Sequence, residues 1–296
     1  MSRAGSMALA PAPTHPERLV FLGTPEFATA PLRALVDAGW DVALVVSQPD
    51  KRRGRGGGLM PSPVKRAALD LGLPVSDRVD DVLETGADLG VVAAFGRLIR
   101  PHVLERLPMV NLHFSLLPRW RGAAPVERAI LAGDERTGVD LMVIEEGLDT
   151  GGVYARSEVA IGPDETADEL RARLAALGTE LLLANLRDGL PEPRPQQGEP
   201  TYAHKVDPAE LQIDWDRPAV DIHRLVRIGG AWTTHRGRRL KVWRTALVPA
   251  GHGDVAAPAG DGPIQLVEVQ PEGRRRMPAR AWANGAHWRP GDRVGT

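Results

Sequence analysis

Residues 18–50 read RLVFLGTPEFATAPLRALVDAGWDVALVVSQPD. A short apolar run, 18–22, ends at Gly23-Thr24-Pro25. A helical pattern follows over 27–38, and a second β-rich run occupies 40–47. Strand, turn, helix and strand of these lengths form the unit of a parallel sheet whose crossover helices cover its faces. The pattern continues along the chain. A long loop over 49–63 precedes a helix over 64–71, a short strand near 74–75 and a buried strand over 89–94. A helix near 102–106 leads into a strand over 109–113. A helix over 123–131, strands over 138–144 and 153–159, and a long helix over 167–187 complete the part before residue 190. The expected class is α/β, with a Rossmann-like parallel sheet. In such sheets ligands gather beyond the carboxyl ends of the strands. Phe95-Gly96 and residues 111–118 both fall there.

Residues 190–200 read LPEPRPQQGEP. Proline fixes φ and removes donors, so this run resists helix and sheet and reads as a linker. Beyond it lie a helix over 218–227 and β-rich runs at 231–236, 240–247 and 264–270, the pattern of a small, OB-like β-barrel. Residues 256–262 fall between these β-rich runs and carry none of their own. The expected division is a disordered tail at 1–16, a catalytic domain at 17–189, a linker at 190–206 and a second domain at 207–296.

With 296 residues the chain has room for two domains. It contains no cysteine, which excludes disulfides, thiolate nucleophiles and zinc–sulfur sites together. No stretch approaches the roughly 20 apolar residues of a membrane span. The first sixteen residues lack the apolar core of a signal peptide, so a cytoplasmic protein is expected. The formal net charge of −1 hides an asymmetry. Residues 207–296 hold 14 Lys/Arg against 10 Asp/Glu, a balance of +4, which leaves −5 for the rest. Two stretches, 51–66 and 222–244, carry several cations and no acid. Such blocks suit a polyanionic partner, although either could also be a solvated face.

The densest chemistry lies in Asn111-Leu112-His113-Phe114-Ser115-Leu116-Leu117-Pro118-Arg119-Trp120-Arg121-Gly122. At strand period Asn111 and His113 share one face, giving an amide and an imidazole side by side at a strand end. A pair of satisfied buried polar groups would look the same. A second signal is the turn Glu146-Gly147-Leu148-Asp149-Thr150-Gly151-Gly152, where an acid sits among glycines. An Asp beside a His would fix its tautomer. Gly23-Thr24-Pro25-Glu26 stands where a dinucleotide fingerprint would, but it lacks the three glycines that let a pyrophosphate approach, so NAD is not expected. The eight histidines form no ligand-spaced cluster, and no metal is expected.

Asn111-x-His113, the following Ser-Leu-Leu-Pro run and the distant Asp149-Thr150-Gly151 together resemble the folate-dependent formyltransferases. Phe21-Leu22-Gly23-Thr24-Pro25-Glu26-Phe27-Ala28, the loop pieces Gln48-Pro49-Asp50, Gly54-Arg55-Gly56 and Leu59-Met60-Pro61-Ser62-Pro63-Val64-Lys65, and Pro118-Arg119-Trp120-Arg121-Gly122-Ala123-Ala124-Pro125 are similar to the methionyl-tRNA branch of that family. The likeness runs in order from about residue 18 to 190 and continues at Ile213-Asp214-Trp215 and Lys241-Val242-Trp243.

The resemblance implies transfer of a formyl group from 10-formyltetrahydrofolate, a reduced folate, to the amine of initiator methionyl-tRNA. It assigns Asn111 and His113 as donors to the oxyanion of the addition step, with the Asp149 carboxylate about 3 Å from His113. It assigns folate contacts to Ser115, Leu116, Leu117 and Pro118 and to the backbone at Phe95 and Gly96. Contacts to tRNA fall to Lys51, Arg52, Arg53 and Arg55 in the basic loop and to Arg238, Arg239 and Lys241. A monomer without membrane attachment is expected. The rival readings are a nucleotide-sugar amine N-formyltransferase, which would not need the basic stretches, and a non-catalytic RNA-binding relative, which would not need Asn111, His113 and Asp149.

Overall fold

The computed structural model describes residues 9–52, 57–247, 255–288, 292 and 294–295. The chain opens with β1 (Arg18–Gly23), a 3-10 turn over Glu26–Ala28, α1 (Thr29–Asp37) and β2 (Asp41–Val46). Pro31 occupies the third position of α1, where its missing N–H would have had no helical partner. There follow β3 (Lys51–Arg52), β4 (Leu59–Met60), α2 (Pro63–Asp70), β5 (Val75–Ser76), β6 (Leu89–Ala93), α3 (Pro101–Leu104) and β7 (Met109–His113). Next come β8 (Arg121–Gly122), α4 (Pro125–Ala132), β9 (Arg136–Val143), β10 (Val153–Ala160), α5 (Ala167–Asp188) and β11 (Tyr202–Ala203).

Seven of these strands hydrogen-bond in the order β10-β9-β7-β6-β1-β2-β5. The pairs from β7 through β6, β1 and β2 to β5 are parallel, while β9 runs antiparallel to β7. The sheet is therefore mixed. Every residue of β6 is buried, as a strand covered on both faces requires. Gly90 keeps that packing possible, because a Cβ there would meet the Met109 side chain at 2.7 Å. The reversal at β9 sets Asp140 directly opposite His113 in the ladder.

Two compact units divide the chain. One holds residues up to Pro125 with Thr137–Val159 and Arg171–Ala203; the other holds Val126–Arg136, Ala160–Leu170 and His204–Thr296. Residues 190–203, read from sequence as linker, belong to the first unit. Leu190 is buried and its N–H donates to the Thr14 carbonyl at 2.7 Å, and Arg194 bridges Val153. Residues 9–16, read as part of a disordered tail, are tied down by that bond and by one from Ala10 N–H to the Leu104 carbonyl at 3.1 Å. Residues 1–8 of that tail lie outside the described residues.

The small β module takes the form of a five-stranded antiparallel sheet after α6 (Ala219–Arg227). Its strands are β12 (Trp232–His235), β13 (Arg238–Ala246), β14 (Val255–Ala259), β15 (Gly262–Pro271) and β16 (Met277–Pro278), followed by α7 (Ala279–Ala286). The ladder runs β12-β13-β15-β14, with β16 on β15. The expected break at 256–262 is corrected here: β14 pairs with β15 from Val255 to Ala259, leaving a tight turn before Gly262. Alanines and a proline gave it little β signal, and register with β15 supplies what propensity does not. The sequence reading also missed α7. Its apolar residues Ala279, Trp282, Ala283 and Ala286 keep the i, i+3, i+4, i+7 spacing of an amphipathic helix, and the first two are buried.

Within the second unit Arg128 meets Glu210 in a two-pronged pair, with Nη1–Oε2 at 2.7 Å and Nη2–Oε1 at 2.9 Å. That pair, helped by the Asp207 N–H, lowers the Glu210 carboxyl from its ordinary 4.5 to about 2. A carboxyl depressed on folding contributes stability above its unfolded value and loses it as pH falls toward the folded value. The thermal-stability gap between wild type and Glu210→Gln is therefore expected to be full above about pH 5 and to close as pH falls toward 2. The carboxylate is 41% exposed, so solvent keeps the gap small. Melting curves of both proteins across that window check it, and a gap that widens on acidification contradicts it.

Candidate active site

The site is built where β7 ends and its chain turns. Asn111 stands in register with Val92 on β6 and Met142 on β9, which fixes its height in the sheet. It is partly exposed, and among the described residues nothing hydrogen-bonds its side-chain amide. His113, two residues on, is 5% exposed. Its Nε2 lies 3.0 Å from the Trp120 carbonyl oxygen. A carbonyl only accepts, so Nε2 carries the proton in this arrangement. The other nitrogen, Nδ1, faces Asp149 Oδ2 at 3.6 Å. That separation is longer than the expected 3 Å hydrogen bond, and it becomes a charge contact only when the ring is protonated.

Asp149 is held by its own turn. It adopts φ +50°, a conformation that Asp and Asn tolerate better than most residues. Its Oδ2 accepts from the Gly122 N–H at 2.8 Å. Gln196 Nε2 donates to the carbonyls of Asp149 and Gly151, both at 2.8 Å, while its Oε1 accepts from Arg121. A Cβ on Gly151 would run into the Val143 carbonyl, which is why this turn needs glycine there. Asp149 is thus brought to His113 by residues far apart in sequence.

The segment 115–118 follows β7 after Phe114. The Ser115 hydroxyl is fully buried and donates to the Arg119 carbonyl at 2.6 Å, so it braces the turn. Leu117 is buried, while Leu116 and Pro118 are partly exposed. Phe95 is a core side chain, 2% exposed, and its carbonyl accepts from Thr24 Oγ1 and Gln48 Nε2, both at 3.1 Å. Gly96 follows with φ +70°. What these two stretches can offer a ligand is chiefly backbone and apolar surface.

Asp140 and Arg156, which sequence reading passed over, underlie that segment. Asp140 is 0% exposed and pairs with Arg156 at 2.6 Å, and Leu117 N–H donates to it at 2.9 Å. An acid inside the apolar run Val139-Asp140-Leu141-Met142 was the available signal, since a buried carboxylate is rare unless partnered. A cavity of about 760 Å³ borders the Asp149 turn, lined among others by Arg121, Thr150, Tyr154, Gln196, Pro11 and Leu190. Burial pushes the Tyr154 phenol above its ordinary value.

The basic stretches divide by use. Lys51 Nζ donates to Gln48 at 2.8 Å and Lys65 pairs with Asp50 at 2.7 Å, while Arg52 is exposed. Arg53 and Arg55 lie outside the described residues. In the second unit Arg227 is buried and donates to the carbonyls of Glu165 and Gly162, and Arg244 pairs with Glu169. Arg238 and Arg239 are exposed; Arg239 stacks over Trp232 at 4.1 Å. Lys241 Nζ lies 5.6 Å from the Trp243 ring, and Arg276 covers the same ring at 3.3 Å. Among the described residues no three His, Asp or Glu side chains converge as a metal site, and no helix is long and apolar enough to cross a membrane.

The pattern described as formyl transferase matches residues 17–186, and the pattern described as formyl transferase, C-terminal domain, matches residues 205–287. The methionyl-tRNA formyltransferase of Symbiobacterium thermophilum is 46% identical over 312 aligned residues, covering 94% of each chain. That of Heliobacterium modesticaldum is 41% identical, covering 94% of this chain and 100% of its own. The chain belongs to the methionyl-tRNA formyltransferase family. A solved methionyl-tRNA formyltransferase from Clostridium thermocellum shares the fold, with TM-score 0.61 at 16% identity over 86% of this chain and 98% of its own. The family's N-terminal pattern contains the whole of Asn111, His113, the segment 115–118 and the Asp149 turn, and its C-terminal pattern contains Arg238, Arg239 and Lys241.

Proposed function

We propose that this formyltransferase moves the formyl group of 10-formyltetrahydrofolate onto the amine of initiator methionyl-tRNA, the step that prepares it for translation initiation. The observation that carries this reading is likeness at 46% identity over 94% of both chains to a methionyl-tRNA formyltransferase. The nucleotide-sugar reading is not favoured, because such close, full-length relatives carry the tRNA activity.

In this reading the neutral amine adds to the formyl carbon and its carbonyl oxygen becomes an oxyanion. The Asn111 amide, with no hydrogen-bond partner among the described residues, donates to that oxygen. The His113 Nε2 proton now rests on the Trp120 carbonyl; an oxyanion is a stronger acceptor and draws it over as charge develops. Asp149, 3.6 Å from Nδ1, steadies the positive charge that the ring carries as it takes up the amine's proton through water and passes it to the departing folate nitrogen. No covalent enzyme intermediate is needed, since Ser115 Oγ is turned to the Arg119 carbonyl. Folate lies against residues 115–118 and the backbone at Phe95 and Gly96. The tRNA is held by Lys51, Arg52, Arg53, Arg55, Arg238, Arg239 and Lys241. The division proposed for these tasks is a catalytic domain over 17–189 and a tRNA-binding domain over 207–296, acting as a cytoplasmic monomer. Transfer of labelled formyl from 10-formyltetrahydrofolate to charged initiator tRNA, compared with an amino-sugar nucleotide, tests the reading. Preference for the sugar overturns it.

The two basic regions should separate in their salt dependence. Arg238→Ala is expected to weaken tRNA binding at all sequences and to flatten the slope of log affinity against log salt by about one unit, the signature of one lost phosphate contact. Arg55→Ala is expected to cut turnover more than it changes that slope, because its loop is read as entering the acceptor end near the amine. Unchanged kinetics in both variants would leave these stretches as solvated surface.

A further inference from the structure

We infer that Asp140 and Arg156 are positioning residues that set the affinity for reduced folate by holding the backbone of Leu117. The inference rests on the reading that residues 115–118 contact folate.

Both polar backbone groups of Leu117 are taken by this one ion pair. Its N–H donates to Asp140 Oδ2 at 2.9 Å, and its carbonyl accepts from Arg156 Nη2 at 2.6 Å. The pair closes on itself through Arg156 Nε to Asp140 Oδ1 at 2.7 Å and Nη2 to Oδ2 at 2.6 Å. Other bonds in the turn, Ser115 Oγ to the Arg119 carbonyl and Arg119 N–H to the Leu116 carbonyl, fold the segment on itself. The Asp140–Arg156 pair does something different, because it ties the segment to β9 and β10. Asp140 stands opposite His113 in the β7–β9 ladder, so the strand that carries the clamp is also in register with the imidazole. Any movement of the clamp shifts folate relative to His113.

Stability alone does not account for this pair. A fully buried carboxylate loses its hydration, and a well-packed apolar pair often serves a core equally well. The carboxylate instead meets a need that an apolar side chain cannot. Leu117 belongs to neither helix nor strand, and its buried N–H must find an acceptor. The planar fork of Arg156 then grips carboxylate and carbonyl together, a geometry that lysine cannot reproduce.

The test compares wild type with Asp140→Asn and Arg156→Lys by calorimetric titration with 5-formyltetrahydrofolate, alongside tRNA binding and melting temperature. The expected result is a rise of ~10-fold or more in the folate dissociation constant in both variants, on the scale of one lost charged hydrogen bond. Affinity for tRNA should hold, and kcat/KM for folate should fall more than kcat. A merely structural role would lower melting temperature and weaken both ligands together, which overturns the inference, as does unchanged folate binding in folded variants. If Asp140→Asn fails to fold, Arg156→Lys, whose side chain is 42% exposed, carries the same measurement. Wild type that binds no reduced folate overturns the proposed function instead.

Discussion

Replacing Asn111 by alanine, or His113 by alanine, is expected to lower the turnover of formyl transfer by ~10²-fold or more, the scale seen when one donor to a developing oxyanion is removed. The two side chains sit two residues apart on β7, one with an amide that no described residue engages and the other with its Nε2 proton resting on a backbone carbonyl. In the proposed mechanism both donate to an oxygen that becomes charged only during the reaction. Loss of either should therefore reach kcat while leaving tRNA affinity close to wild type, since interactions made only in the transition state do not contribute to substrate binding. The folds should survive. Asn111 is partly exposed, and truncating His113 leaves only a small void beside the Trp120 carbonyl. Single-turnover transfer rates with saturating folate and tRNA measure the effect. Near-normal turnover in either variant would remove that residue from the oxyanion site.

Asp149→Asn is expected to fold normally and to lose on the order of 10²–10⁴-fold in turnover, the range spanned by a lost oxyanion contact and by the same carboxylate-to-amide change beside other catalytic histidines. Asparagine is nearly isosteric, tolerates the φ of +50°, and its Oδ1 can still accept from the Gly122 N–H. The substitution thus isolates charge from shape. What disappears is the negative charge 3.6 Å from His113 Nδ1, and with it the stabilisation of the ring that takes up a proton in the proposed mechanism. Melting temperature and folate affinity serve as controls. A variant that turns over like wild type would show that Asp149 shapes the turn and leaves the ring's charge to solvent.

Much of this molecule was legible in the order of its residues. The alternation of apolar runs and helical periods between residues 18 and 187 determined the α/β layer, because a strand buried on both faces and a helix buried on one leave different local patterns. Asn111-x-His113 announced itself by period alone, since two residues apart on a strand means one face. The Gly-flanked Asp149 marked a turn. Composition determined that no thiol chemistry takes place here.

Only the tertiary structure decided what those residues meet. That β9 runs antiparallel to β7, placing Asp140 against His113 and beneath Leu117, depends on a crossing over twenty residues that no local pattern encodes. Residues 190–203 look like linker because proline and polar residues cannot build a ladder, yet they pack on the first unit, where Gln196 bonds the carbonyls of Asp149 and Gly151. Of the cations in the basic stretch 222–244, the fold turns Arg227 inward to carbonyls and leaves Arg238 and Arg239 to solvent, although all three look alike in sequence. The physical reason is the same in each case. Period and propensity act over neighbours, whereas a buried charge, a distant carbonyl or a reversed strand is settled by which partner the whole chain brings within about 3 Å.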